Sequence, residues 1–127
     1  MGRVVATVLV VEDDRSIRAL IYRMLLREGH QILEAADGAM ALEILQAVRC
    51  DLVITDFLMP NVSGIEFVEQ LHSLQPQMPI ILITAYPTVS STTIVDKVAE
   101  VLPKPFDLNL LRSTVRRLLT TTPHSTT

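Results

Sequence analysis

The sequence predicts an α/β fold, a five-stranded parallel sheet covered by helices on both faces. Three observations carry this. Short β-branched runs alternate along the chain with apolar residues at helical spacing. Three of the runs, Thr7–Val11, Leu52–Thr55 and Pro79–Thr84, are almost wholly apolar, as strands buried on both sides should be. The chain has 127 residues, which suits one domain.

Each element has a local reason. Thr7–Val11 is the first strand. Asp14 is placed to cap a helix whose Ile17, Leu20, Ile21, Met24 and Leu25 fall on one face. Gly29 is a suitable helix stop. Gln31–Ala35 is a short second strand, and Asp37-Gly38 turns into a helix buried through Ala41, Ile44, Leu45 and Val48. Leu52–Thr55 is the third strand. Ser63 is placed to cap a third helix, with Phe67, Val68, Leu71 and Leu74 inward. Pro79–Thr84 and Glu100–Pro103 are strands four and five. Asp107 caps a last helix with Leu108, Leu111, Val115 and Leu118 inward and Arg112, Arg116 and Arg117 outward. Alternation of this kind implies right-handed crossovers.

The topology also requires a helix between strands four and five. Residues 87–98 are rich in β-branched and hydroxyl side chains, which are poor helix interiors. The expectation there is a short, irregular or mobile segment. Residues 120–127 hold five threonines with a proline and a histidine, and are expected to be a disordered tail after a domain covering 1–119.

Composition excludes several classes. A net charge of −3 gives no overall basic footprint for nucleic acid, so no direct nucleic-acid contact is expected. The single Cys50 rules out an internal disulfide and fits a reducing compartment; it reads as a small apolar residue ahead of a strand. The start, Met1-Gly2-Arg3 before an apolar run, ends in three acids and offers no cleavage site, so a core strand is favoured over a signal peptide. No apolar stretch reaches membrane-spanning length. These features predict a cytoplasmic protein with no membrane contact. His30, His72 and His124 lack ligand-like spacing, and surface roles are expected for them.

Polar groups collect at the strand ends. Glu12 and Asp13 follow the first strand, Asp56 the third, Thr84 the fourth and Lys104 the fifth. In an open parallel sheet these tips share one edge, where ligands bind. Carboxylates gathered there repel one another unless a cation sits among them. Asp56 is placed to attack phosphorus. Asp13 and Asp56 offer hard oxygen ligands to Mg²⁺, and Lys104 and Thr84 offer a charge and a hydroxyl to phosphoryl oxygens.

In this ordered set the chain resembles the receiver domain of two-component response regulators. The matching pieces are Val10-Val11-Glu12-Asp13-Asp14, Asp51 through Asp56 to Pro60 with Gly64, Ile83-Thr84-Ala85, and Lys104-Pro105-Phe106. The resemblance runs from about Val8 to Leu119. It implies a flavodoxin-like, doubly wound sheet. It also implies Mg²⁺-dependent phosphoryl transfer to Asp56 from a sensor histidine kinase or a histidine phosphotransfer protein. By position it makes Glu12 and Asp13 the acidic pair, with Asp13 a direct Mg²⁺ ligand and Leu58 the source of a main-chain carbonyl. Thr84 and Lys104 would contact the phosphoryl group, and the Lys104-Pro105 bond would be cis.

The expected role is a phospho-acceptor switch for protein–protein interactions with a downstream protein the sequence does not name. No output domain is expected to follow the receiver. Two other readings stand beside it. A pseudo-receiver would bind partners without being phosphorylated. A Mg²⁺-dependent phosphohydrolase would want an acid two residues after Asp56, where Leu58 stands. The pattern departs from the family at Val101, where a Tyr or Phe is usual, and at Lys97, where a small residue is usual. A valine cannot turn between buried and exposed positions as such a ring does. Phosphorylation is therefore expected to act on order in residues 87–98 instead.

Overall fold

Strand formation follows the β-branched runs closely in the computed structural model, which describes residues 5–56, 64–85 and 96–121. The strands are β1 (Thr7–Val11), β2 (Gln31–Ala35), β3 (Leu52–Asp56), β4 (Ile80–Thr84) and β5 (Glu100–Pro103). They form one parallel sheet in the order β2-β1-β3-β4-β5. The three most apolar strands are thus the three inner ones, as their sequences require.

The helices are α1 (Arg15–Arg27), α2 (Gly38–Ala47), α3 (Gly64–Leu74) and α4 (Leu108–Thr121). Asp14 accepts from the Ile17 amide, Asp37 from Met40 and Asp107 from Asn109, so each aspartate starts its helix. Gly29 ends α1 with φ of 88°, a conformation that disfavours any side chain. The Lys104-Pro105 peptide is cis.

Alternation along the strands divides the core in two. Val8, Val10, Leu52, Ile54, Ile81 and Ile83 pack under α1 and α4. Leu9, Val11, Val53, Ile80 and Leu82 pack under α2 and α3, around a fully buried Phe67. Cys50 is buried ahead of β3, and burial pushes its thiol up to about 11, with Asp51 adding to the shift. Such a thiol is unreactive at neutral pH.

Several expectations need correction. Leu20, Val48 and Leu74, expected inward, are 42 %, 42 % and 61 % exposed. Val48 and Leu74 stand at the C-terminal ends of α2 and α3, and Val48 is already extended. Leu20 sits at the margin of the α1 stripe. His30 is buried, not superficial: its Nδ1 accepts the Ala6 amide at 3.1 Å. Asp51 is half-buried and accepts the Thr7 amide at 2.9 Å, bracing β1 on β3. α4 continues through Thr120 and Thr121, and the rest of the expected tail lies outside the described residues. So do Leu58, Ser63 and most of 87–98; residues 96–97 form a single 3₁₀ turn.

Candidate functional site

The parallel register brings the polar groups together at the carboxyl ends of the strands. Val11 lies opposite Thr55, so Glu12 and Asp56 follow side by side from β1 and β3. Asp56 lies opposite Ile83, one residue before Thr84, and Thr84 lies opposite Pro103, one before Lys104. The Lys104 amide donates to the Thr84 carbonyl at 2.8 Å, extending the ladder to the lysine itself. Alternation then gives Glu12 and Asp56 the side of the sheet shared by Val10 and Ile54. Thr84 has the parity of Leu82 and is buried.

The side chains meet. Lys104 Nζ lies 2.8 Å from Asp56 Oδ2 and 3.2 Å from Glu12 Oε1. Glu12 is 2 % exposed and Asp56 is buried, so both carboxylates face little water. The Asp14 amide donates to Glu12 Oε2 at 3.1 Å. Asp13 is exposed above them, and Glu12, Asp13 and Asp56 each place a carboxylate oxygen within 4.8 Å of the others.

Burial pushes the Glu12 carboxyl up to about 7, and the Asp56 charge adds to this against the opposing Asp14 amide and Lys104. For Lys104, burial favours the neutral amine. The hydrogen bond to Asp56 and the charges of Asp56 and Glu12 outweigh it and raise the lysine. Three crowded carboxylates with one ammonium leave an excess of negative charge. Their hard oxygen donors fit a small divalent cation such as Mg²⁺, which keeps part of its water shell.

Of the sequence-predicted residues, Glu12, Asp13, Asp56 and Lys104 come together, and Thr84 stands at the adjoining strand end. Leu58 lies outside the described residues. Arg18 was not anticipated. It donates to the Glu12 carbonyl at 2.6 Å and to Glu34 at 3.2 Å, fixing the backbone that carries the acidic pair. Its position one helical turn after Asp14 is the signal that places it at this edge.

The sequence matches the response regulator receiver domain family over residues 8–116. The chain belongs to that family. As a receiver domain it is 40 % identical over 119 residues to the response regulator MprA of Mycolicibacterium vanbaalenii, a match covering 91 % of this chain and 52 % of that one. It is 34 % identical over 116 residues to the DNA-binding transcriptional regulator NtrC of Azospirillum brasilense, covering 90 % of this chain and 24 % of the relative. The receiver domain therefore spans about half the length of MprA and a quarter of NtrC.

Solved structures share the fold. The response regulator protein TrrA of Thermotoga maritima, in complex with Mg²⁺-BeF, has a TM-score of 0.83 at 33 % identity; 93 % of this receiver domain and 99 % of TrrA are covered. The chemotaxis response regulator CheY4 of Vibrio cholerae has a TM-score of 0.82 at 32 % identity, with 91 % and 99 % covered. The sheet is thus the flavodoxin-like receiver fold. Among the described residues, no helix is long and apolar enough to cross a membrane.

Proposed function

We propose that Asp56 accepts a phosphoryl group from a phosphohistidine of a sensor kinase or histidine phosphotransfer protein. The observation that carries this is the contact of Lys104 with Asp56, beside two further carboxylates able to hold a cation. An Asp56 carboxylate oxygen attacks phosphorus, the phosphorus–nitrogen bond breaks, and the imidazole leaves with the electron pair. Lys104, already at Asp56, turns to a phosphoryl oxygen as the carboxylate charge is consumed. Thr84 supplies a hydroxyl to a second oxygen.

Glu12, Asp13, Asp56 and the Leu58 carbonyl are the proposed Mg²⁺ ligands. When bound, the ion offsets negative charge on the transferring group. The Mg²⁺-BeF complex of TrrA supports the same ligand class here.

The acyl phosphate is the state that changes affinity for a downstream protein, and the chain transforms no other substrate. The output partner is proposed to be a protein. NtrC is named as DNA-binding, but the match covers only 24 % of its length. A cytoplasmic setting follows from the proposed phosphodonor.

Acetyl phosphate with Mg²⁺, read by intact mass, tests the acceptor. Gain of one phosphoryl group, lost in Asp56→Asn and with chelator, is the expected result. A wild-type protein that stays unmodified by acetyl phosphate and by a phosphorylated histidine donor refutes it and leaves the pseudo-receiver.

A further inference from the structure

Asp13 differs from the other two acids of the site in what holds it. Glu12 accepts the Asp14 amide and faces Lys104, and Asp56 accepts from Lys104. The Asp13 carboxylate is exposed and makes no hydrogen bond or ion pair among the described residues. Its place within 4.8 Å of the other two is therefore set by the main chain that carries it.

Arg18 grips that main chain on both sides of Asp13. Its guanidinium Nη1 donates to the Glu12 carbonyl at 2.6 Å, and its amide donates to the Asp14 carbonyl at 2.9 Å. Any residue at this place in the first turn of α1 supplies the amide bond. Only a long cationic side chain supplies the other. Arg18 Nε also donates to Glu34 of β2 at 3.2 Å, and the Glu12 amide donates to Ala35, the next residue of that strand, at 3.0 Å. The guanidinium thus bridges β2 to the peptide that enters Asp13. Arg15, Arg23 and Arg27 of α1 are exposed, whereas the Arg18 side chain is only 20 % exposed.

We infer that Arg18 is a positioning residue for a divalent cation: it fixes the Glu12–Asp13 peptide so that the Asp13 carboxylate stands ready, without itself touching the ion. The inference rests on the reading of Glu12, Asp13 and Asp56 as Mg²⁺ ligands. Charge and positioning predict opposite signs. As a charge alone, Arg18 repels Mg²⁺, and its removal would tighten binding. As a clamp, its removal frees the Asp13 main chain, and ordering that chain again on binding weakens affinity. The Glu34 carboxylate at 3.2 Å offsets the guanidinium charge, so the geometric effect dominates. A lysine would keep the charge, but as a point donor it cannot span the Glu12 carbonyl and Glu34 as the planar fork does.

The test is calorimetric titration of Mg²⁺ into the whole chain, without phosphodonor, for wild type, Arg18→Ala and Arg18→Lys. Urea unfolding in the presence of chelator runs beside it. The dissociation constant should rise about tenfold in Arg18→Ala, in the range for outer partners of metal ligands, and by a smaller factor in Arg18→Lys. In both metal-free variants the Asp14 amide, bonded to Glu12 Oε2, should exchange hydrogen faster while the amides of β3 and β4 stay protected. Arg18→Lys keeps charge and helix propensity, and carries the test alone if Arg18→Ala does not fold. Tighter binding in Arg18→Ala, or unchanged binding in Arg18→Lys, overturns the inference. So does a loss of urea stability with Mg²⁺ affinity kept, which marks Arg18 as structural only. A wild type that binds no Mg²⁺ overturns the ligand reading and the inference with it; a wild type that binds, beside variants that bind alike, overturns the inference alone.

Discussion

Lys104 and Asp56 are joined across the sheet edge at 2.8 Å, and the same ammonium reaches Glu12 at 3.2 Å. In the absence of cation the lysine is what keeps two buried carboxylates together. Lys104→Met should destabilise the metal-free protein by about 2 kcal/mol, within the range for breaking a partly buried ion pair. Millimolar Mg²⁺ should recover part of that loss. Urea unfolding with and without Mg²⁺ reads both, and equal loss in the two conditions would argue against a shared role for lysine and cation.

Glu12 makes stability depend on pH. Folded Glu12 keeps its proton to about 7, whereas its ordinary value is 4.5. Between those values the folded state binds the extra proton, so metal-free stability falls as pH rises through the window. The full effect is at most about 3 kcal/mol at about 1.4 per pH unit. Glu12→Gln should flatten the profile. Mg²⁺ displaces protons from its ligands, so its apparent affinity should increase as pH passes about 7. Calorimetric titration at several pH values measures this.

Gly29→Ala isolates backbone conformation from packing. Among the described residues, a Cβ there would meet nothing nearer than Val5 Cγ2 at 4.0 Å. The positive φ alone should cost about 1 kcal/mol, and Asn, which tolerates this region, should cost less. Chemical denaturation of the two variants gives the order.

Arg116 grips Glu28 with two hydrogen bonds, 2.6 and 2.9 Å, across 88 residues of chain. Glu28 is buried, while Arg116 is largely exposed. Arg116→Ala should lower the melting temperature by more than an ordinary exposed substitution. In the double variant Glu28→Gln/Arg116→Ala the loss should be smaller than the sum of the single losses, because the stranded carboxylate is gone. A thermal double-mutant cycle decides this.

Legibility in the sequence followed the range of the forces. β1, β2 and β5 and the Asp14 and Asp107 caps are written in neighbouring residues, and each lies where local pattern put it. Glu12, Asp13, Asp56 and Lys104 were legible because a parallel sheet must bring its strand ends to one edge. His30 and Glu28 were not, since their partners Ala6 and Arg116 are 24 and 88 residues away. Leu20, Val48 and Leu74 fit the apolar period, but periodicity does not say where a helix leaves its cover.

Among the described residues, the order β2-β1-β3-β4-β5 leaves two strands with one open side each. β2 exposes Gln31 and Glu34, and β5 carries Glu100 and ends on Pro103, which has no amide hydrogen to offer. A further strand added at either margin would have to accommodate a charge there, and at β5 would also lack a donor. Protection against edge-to-edge aggregation is thus assigned to the two least apolar strands, leaving β1, β3 and β4 free to be as sticky as the interior demands.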